Sequence, residues 1–186
     1  MALETTFRTL SVALHRLHDG LNDLYVTSGD TPANDVSVLA DRLEETALDM
    51  KETLYGARRS AVLARKAVDA PVDLDRARRA LTRCQERFHR VEQLFASELF
   101  SYEKLTDLAR LGNERRAWMP WVSTVKSGIE QCREPLEQAN RALAACWGEL
   151  AERLGMFNIT MQSNTVGQQI TVPKAKAEDL EVEGVT

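Results

Sequence analysis

No stretch of this chain comes near the roughly 18 uninterrupted apolar residues that a membrane-spanning helix needs. Cysteine is scarce. Cys84, Cys132 and Cys146 are too few and too odd in number for a disulfide framework. They form no Cys-x-x-Cys pair, which removes the usual structural zinc site. The nine glycines are scattered, so no glycine-rich loop is available to cradle a phosphate. Only three histidines are present, and no Ser, His and acid arrangement can be assembled from the sequence. A positive excess is missing too: the formal charge is −4, which argues against nucleic acid as the main partner. Met1-Ala2-Leu3-Glu4 lacks the basic and apolar regions of a secretory leader, so a reducing cytoplasm is the expected location.

What is present is a pattern. The 186 residues, 44% apolar and 28% charged, fit one domain with an appended arm. A domain of this size buries about 70% of its unfolded surface, so it needs no metal or disulfide to hold together. Leu3, Phe7, Leu10, Leu14, Leu17, Leu21 and Leu24 alternate in steps of four and three, a heptad seam. The turn formers "TSGDTPAND" end it, and Asn34 or Asp35 can cap a second helix. That helix carries Val36, Leu39, Leu43, Ala47, Met50, Leu54, Ala57, Ala61, Ala64 and Val68. "DAPVD" closes it, and Asp73 is the expected cap of a third helix bearing Ala77, Leu81, Cys84, Phe88, Val91, Phe95, Leu99, Tyr102 and Leu105. "LGNERRAWMPW" interrupts the pattern, and Pro120 suits the first turn of a fourth helix. The fourth seam runs through Val122, Val125, Ile129, Cys132, Leu136, Ala139, Leu143, Cys146 or Trp147, Leu150 and Leu154. Pro135 interrupts this run, but the phase continues across it, which predicts a kinked helix.

The fold class expected is therefore all-α, an antiparallel up-down-up-down four-helix bundle of long helices with a C-terminal extended, β-like tail. The helices should span about 3–27, 35–68, 73–110 and 120–155. The first is the shortest, so the core should thin at one end unless Trp118, Trp121 or the tail fills the gap.

Bundles often hold metals, and Glu86-Arg87-Phe88-His89 has the Glu-x-x-His spacing of di-iron proteins. A second copy is missing, and Glu86 lies between the seam residues Cys84 and Phe88, on the outer face. His15, His18 and Asp19 share a side of the first helix, where an exposed polar face is the simpler reading. No catalytic, cofactor or metal residue is assigned, and an enzyme is not expected.

Charge is distributed unevenly. Residues 53–90 hold ten basic groups (Arg58, Arg59, Arg65, Lys66, Arg76, Arg78, Arg79, Arg83, Arg87, Arg90) against Asp69, Asp73, Asp75 and Glu86. That is +6 in a chain of −4, so the rest carries −10. Arg76, Arg79, Arg83, Arg87 and Arg90 recur at helical spacing along one face. Arg forks pair bidentately with carboxylates, so the expected occupant is an acidic peptide. The chain's own "EDLEVEGVT" is one, and up-down-up-down topology brings it out at the basic end.

Two further features complete the candidate surface. Trp118-Met119-Pro120-Trp121 either plugs the bundle end or anchors an interface. In "FNITMQSNTVGQQITV", Phe157, Ile159 and Met161 alternate with polar residues, as do Ile170 and Val172 after a change of phase. Such an arm suits strand addition to a partner. The function expected is a non-enzymatic scaffold, adaptor or regulatory subunit engaging protein partners or further copies of itself. A metal-binding or redox bundle enzyme and an amphipathic coat at a lipid or polymer surface are the alternatives.

Overall fold

The computed structural model describes residues 3–31, 38–111, 115–155, 159–162 and 169–172, with the backbone alone for 38–39, 98–102, 104–111, 115–117 and the last two segments. Four helices dominate: α1 (Leu3–Gly29), α2 (Val38–Val68), α3 (Leu74–Leu111) and α4 (Arg115–Arg153). Two short strands follow, β1 (Ile159–Gln162) and β2 (Gln169–Val172).

The apolar periodicity explains why the helices associate. All seven seam residues of α1, from Leu3 to Leu24, are buried. So are Leu43 through Val68 of the α2 seam, Ala77 through Phe95 of α3 and Val122 through Leu150 of α4. Each fully buried Leu contributes about 2 kcal/mol by removing apolar surface from water. Most helical stability in proteins comes from packing an amphipathic face rather than from propensity, so docking is what fixes these segments.

Cross-helix contacts set the directions. On α1 and α4, the Cys146 thiol donates to the Thr6 carbonyl (3.5 Å) and Trp121 Nε1 donates to the Thr27 carbonyl (3.1 Å). On α2 and α3, Arg87 reaches the Gly56 carbonyl and Arg90 reaches Asp49. On α1 and α2, Lys51 lies over the Tyr25 ring and Arg58 meets His15. In each pair the numbers rise on one helix as they fall on the other, so neighbours run antiparallel. Each helix touches two others in the cyclic order α1, α2, α3, α4. The start of α1, the turn between α2 and α3 and the end of α4 therefore share one end of the bundle.

Local sequence sets the boundaries. Asp73 caps α3 as expected: its Oδ1 accepts from the Arg76 N–H at 2.9 Å, satisfying one of the orphan donors of the first turn. Gly155 ends α4 in the left-handed region, at φ 66°, a conformation that costs glycine nothing. Two glycines bring α1 close to α4. A Cβ on Gly20 would lie 3.3 Å from Cys132 Sγ, and one on Gly128 3.3 Å from Leu24 Cδ1.

The start of α4 corrects the sequence reading. The helix begins at Arg115, so Pro120 sits in its second turn and not its first. A proline there removes the backbone bond that an N–H at 120 would make to the carbonyl of residue 116 and crowds that carbonyl. Pro135 also lies within a single continuous helix. Residues 35–37, expected to open α2, lie outside the described residues, as do the caps Asn34 and Asp35.

Candidate interaction surface

The five arginines of the α3 face separate into two sets. Arg87 is a structural cross-tie: its Nη1 donates to the Gly56 carbonyl (2.8 Å) and to Ser60 Oγ (2.9 Å). Arg90 lies 3.4 Å from Asp49. Both are engaged within the bundle, because α2 supplies acceptors that α3's own periodicity cannot reveal. The five arginines of the expected stripe thus differ in their contacts within the bundle.

Arg76, Arg79 and Arg83 are exposed, and none forms an ion pair among the described residues. The exposed Arg59 and Lys66 of α2 likewise have no acidic partner there. Of the nearby acids, Asp73 caps α3 and Asp75 faces Arg78 at 3.5 Å, while Asp69 and Glu86 are exposed and form no ion pair with these cations among the described residues. Apolar groups interrupt this basic surface. Leu63 is 42% exposed and Val72 56% exposed. The antiparallel register set by Gly56 and Ser60 against Arg87 puts Leu63 level with Arg79 and Arg83.

The tryptophans divide as well. Trp121 is 6% exposed and belongs to the core, which makes it the plug of the bundle end and not a surface anchor. Its bond to Thr27 closes the region where α1 stops short. Trp118 meets it edge-on, with ring centroids 5.5 Å apart, and remains half-buried.

Phe157 lies outside the described residues. Ile159 pairs with Val172 and Met161 with Ile170 in the antiparallel β1–β2 ribbon. Directly paired residues share a face, so these four fall on one side and Thr160, Gln162, Gln169 and Thr171 on the other. β2 lies against α4.

The remaining titratable groups are arranged for structure. Burial pushes the Cys84 and Cys132 thiols up to about 12, and burial raises Cys146 further. All three are free and buried, so the nucleophilic thiolate is strongly disfavoured. Arg58 Nη2 lies 2.8 Å from His15 Nδ1. Arginine only donates, so His15 Nδ1 accepts there. Burial, with help from Arg58, lowers the pKa of His18 against the opposing pull of Asp19. Among the described residues no three His, Cys, Asp or Glu side chains are grouped to hold a metal ion. A groove of about 340 Å³ between α1 and α4 is lined by small residues, among them Ala142, Ala145 and Gly148. The Thr6 hydroxyl on its wall is buried without a hydrogen-bond partner among the described residues.

No protein-family model matches this chain, and neither the curated proteins nor the solved structures provide a match. Among the described residues no helix is long and apolar enough to cross a membrane.

Proposed function

We propose that this chain is a non-enzymatic interaction subunit of the cytoplasm, a rigid helical scaffold that takes an acidic segment of a protein partner on the face built by α2 and α3. The observation that carries the reading is the set of exposed cations without acidic partners among the described residues, Arg59, Lys66, Arg76, Arg79 and Arg83, around the apolar Leu63 and Val72. Unpaired guanidinium groups are the donors best matched to carboxylates. The exposed Leu and Val add apolar contact, which a purely electrostatic patch lacks. Acidic residues dominate the chain outside this region, which favours a protein segment over a polynucleotide. Three thiols without disulfides suit a reducing compartment.

The arm supplies a second contact element. An apolar side on a two-stranded ribbon suits strand addition to a partner or to another copy, because an isolated hairpin is marginal in water.

The test is a titration of the full chain with a fluorescent decaglutamate peptide, followed by anisotropy. Binding should weaken by an order of magnitude or more between about 50 and 200 mM salt, as screened charge pairs require. The triple variant R76E/R79E/R83E should lose it, while R87A should retain it. Equal binding by the triple variant and the parent would refute the assignment of this face. Tighter binding of single-stranded DNA than of the peptide under identical salt would replace the protein partner with nucleic acid.

A further inference from the structure

The same end of the bundle that carries the basic face also releases the C-terminal arm. Thr6 meets Cys146 across α1 and α4, so the start of α1 lies beside the end of α4. The antiparallel pairs on α1–α2 and α2–α3 bring the turn at 69–73 to that same end. Gly155 then diverts the chain out of α4, and β2 returns it to the side of that helix by Val172.

From Val172, six residues lead to Glu178. Six extended residues reach roughly 20 Å. α3 neighbours α4 directly, and packed helices lie about 8–10 Å apart, so its outer face is well within reach. Residues 173–186 lie outside the described residues, and the sequence here reads "PKAKAEDLEVEGVT". Within it Asp179, Glu181 and Glu183 alternate with Leu180 and Val182. In an extended segment the three carboxylates fall on one side over roughly 13 Å, and the two apolar residues on the other. On α3, Arg76, Arg79 and Arg83 span roughly 10.5 Å of helix axis. Three acids at this spacing can each meet one guanidinium.

We infer that residues 178–183 of this chain dock on the Arg76, Arg79 and Arg83 face of the same molecule, so that the partner site is covered by the chain's own acidic run until a stronger acidic segment displaces it. This rests on the reading of that face as an acidic-segment site. A tether of this length gives a local concentration in the millimolar range, sufficient for a weak internal ligand to compete with a free one.

The experiment uses the full chain throughout, with fluorescent decaglutamate as probe at low salt. The neutralised variant E178Q/D179N/E181Q/E183Q should bind the probe at least about tenfold more tightly than the parent, and adding R76E/R79E/R83E should abolish that gain. The helical circular dichroism signal confirms that each variant folds. If the neutralised variant and the parent bind equally while R76E/R79E/R83E removes binding, the self-docking inference is overturned and the partner site stands. If neither the parent nor the neutralised variant binds the probe, both fall. The tenfold difference should be the same at low and high protein concentration. A difference that vanishes on dilution would assign the acidic run to a neighbouring copy and overturn docking within one molecule.

Discussion

Gly56 lies in the middle of α2, where glycine is normally a liability, and Arg87 explains what its lack of a side chain permits. A Cβ added at Gly56 would meet Arg87 Cδ at 3.1 Å and Nε at 3.2 Å. Both are tighter than ordinary contact, so the arginine must move. It would then give up some or all of its bonds to the Gly56 carbonyl and Ser60. Replacing Gly by Ala in a helix interior gains about 1 kcal/mol. Losing two partly solvated hydrogen bonds costs about 1 kcal/mol in total, towards the lower end of the range for each. Gly56→Ala should therefore leave stability within about 0.5 kcal/mol of the parent. Arg87→Ala alone should cost about 1 kcal/mol. In the Arg87→Ala background the same Gly56→Ala change should stabilise by close to 1 kcal/mol, because nothing remains to be displaced. Urea denaturation followed by the helical signal measures all four corners of this cycle, provided the slopes agree. The coupling should be near 1 kcal/mol. If Gly56→Ala stabilised both backgrounds equally, to within the roughly 0.5 kcal/mol expected of independent sites, Arg87 would not be the tie between α2 and α3.

Trp121→Phe removes the donor to Thr27 and part of the buried ring. It should cost about 1–2 kcal/mol in the same assay, and an unchanged midpoint would show that the bundle end does not depend on this plug. His18 gives a pH test: its pKa is lowered on folding, so the unfolded chain binds more protons below about 6.5. Stability from this group is complete above that pH and declines as pH falls towards the folded pKa. His18→Gln should therefore lose less stability than the parent between pH 7.5 and 5.5; an equal or larger loss would contradict the burial argument.

Much of this architecture was legible because each helix displays its buried stripe locally. The α1 seam could be read residue by residue, since heptad spacing is a property of one segment, and every member is buried. Asp73 was legible for the same reason: a cap acts on an N–H three residues away. What sequence could not give were relations between segments. Arg87 and Arg83 look equivalent along α3, and only the approach of Gly56 and Ser60 on α2 turns one into a cross-tie and leaves the other exposed. Trp121 needed the short α1 and the Thr27 carbonyl to become core. Pro120 misled because proline is favoured in a first turn, yet α4 starts one turn earlier. The signal for Arg87 was present in one respect: a glycine in mid-helix at Gly56 marks a place where something else approaches.

The three buried thiols make the bundle its own reporter of opening. At mild alkaline pH an alkylating reagent finds almost no thiolate in the folded chain, since burial holds each cysteine's proton so firmly. Modification must then wait for a fluctuation that lets water reach the sulfur. Cys132 sits against Gly20 in mid-bundle, whereas Cys146 lies against Thr6 near the end from which the arm departs. The order in which these positions are labelled would thus trace which end of the molecule breathes first, without any probe being introduced.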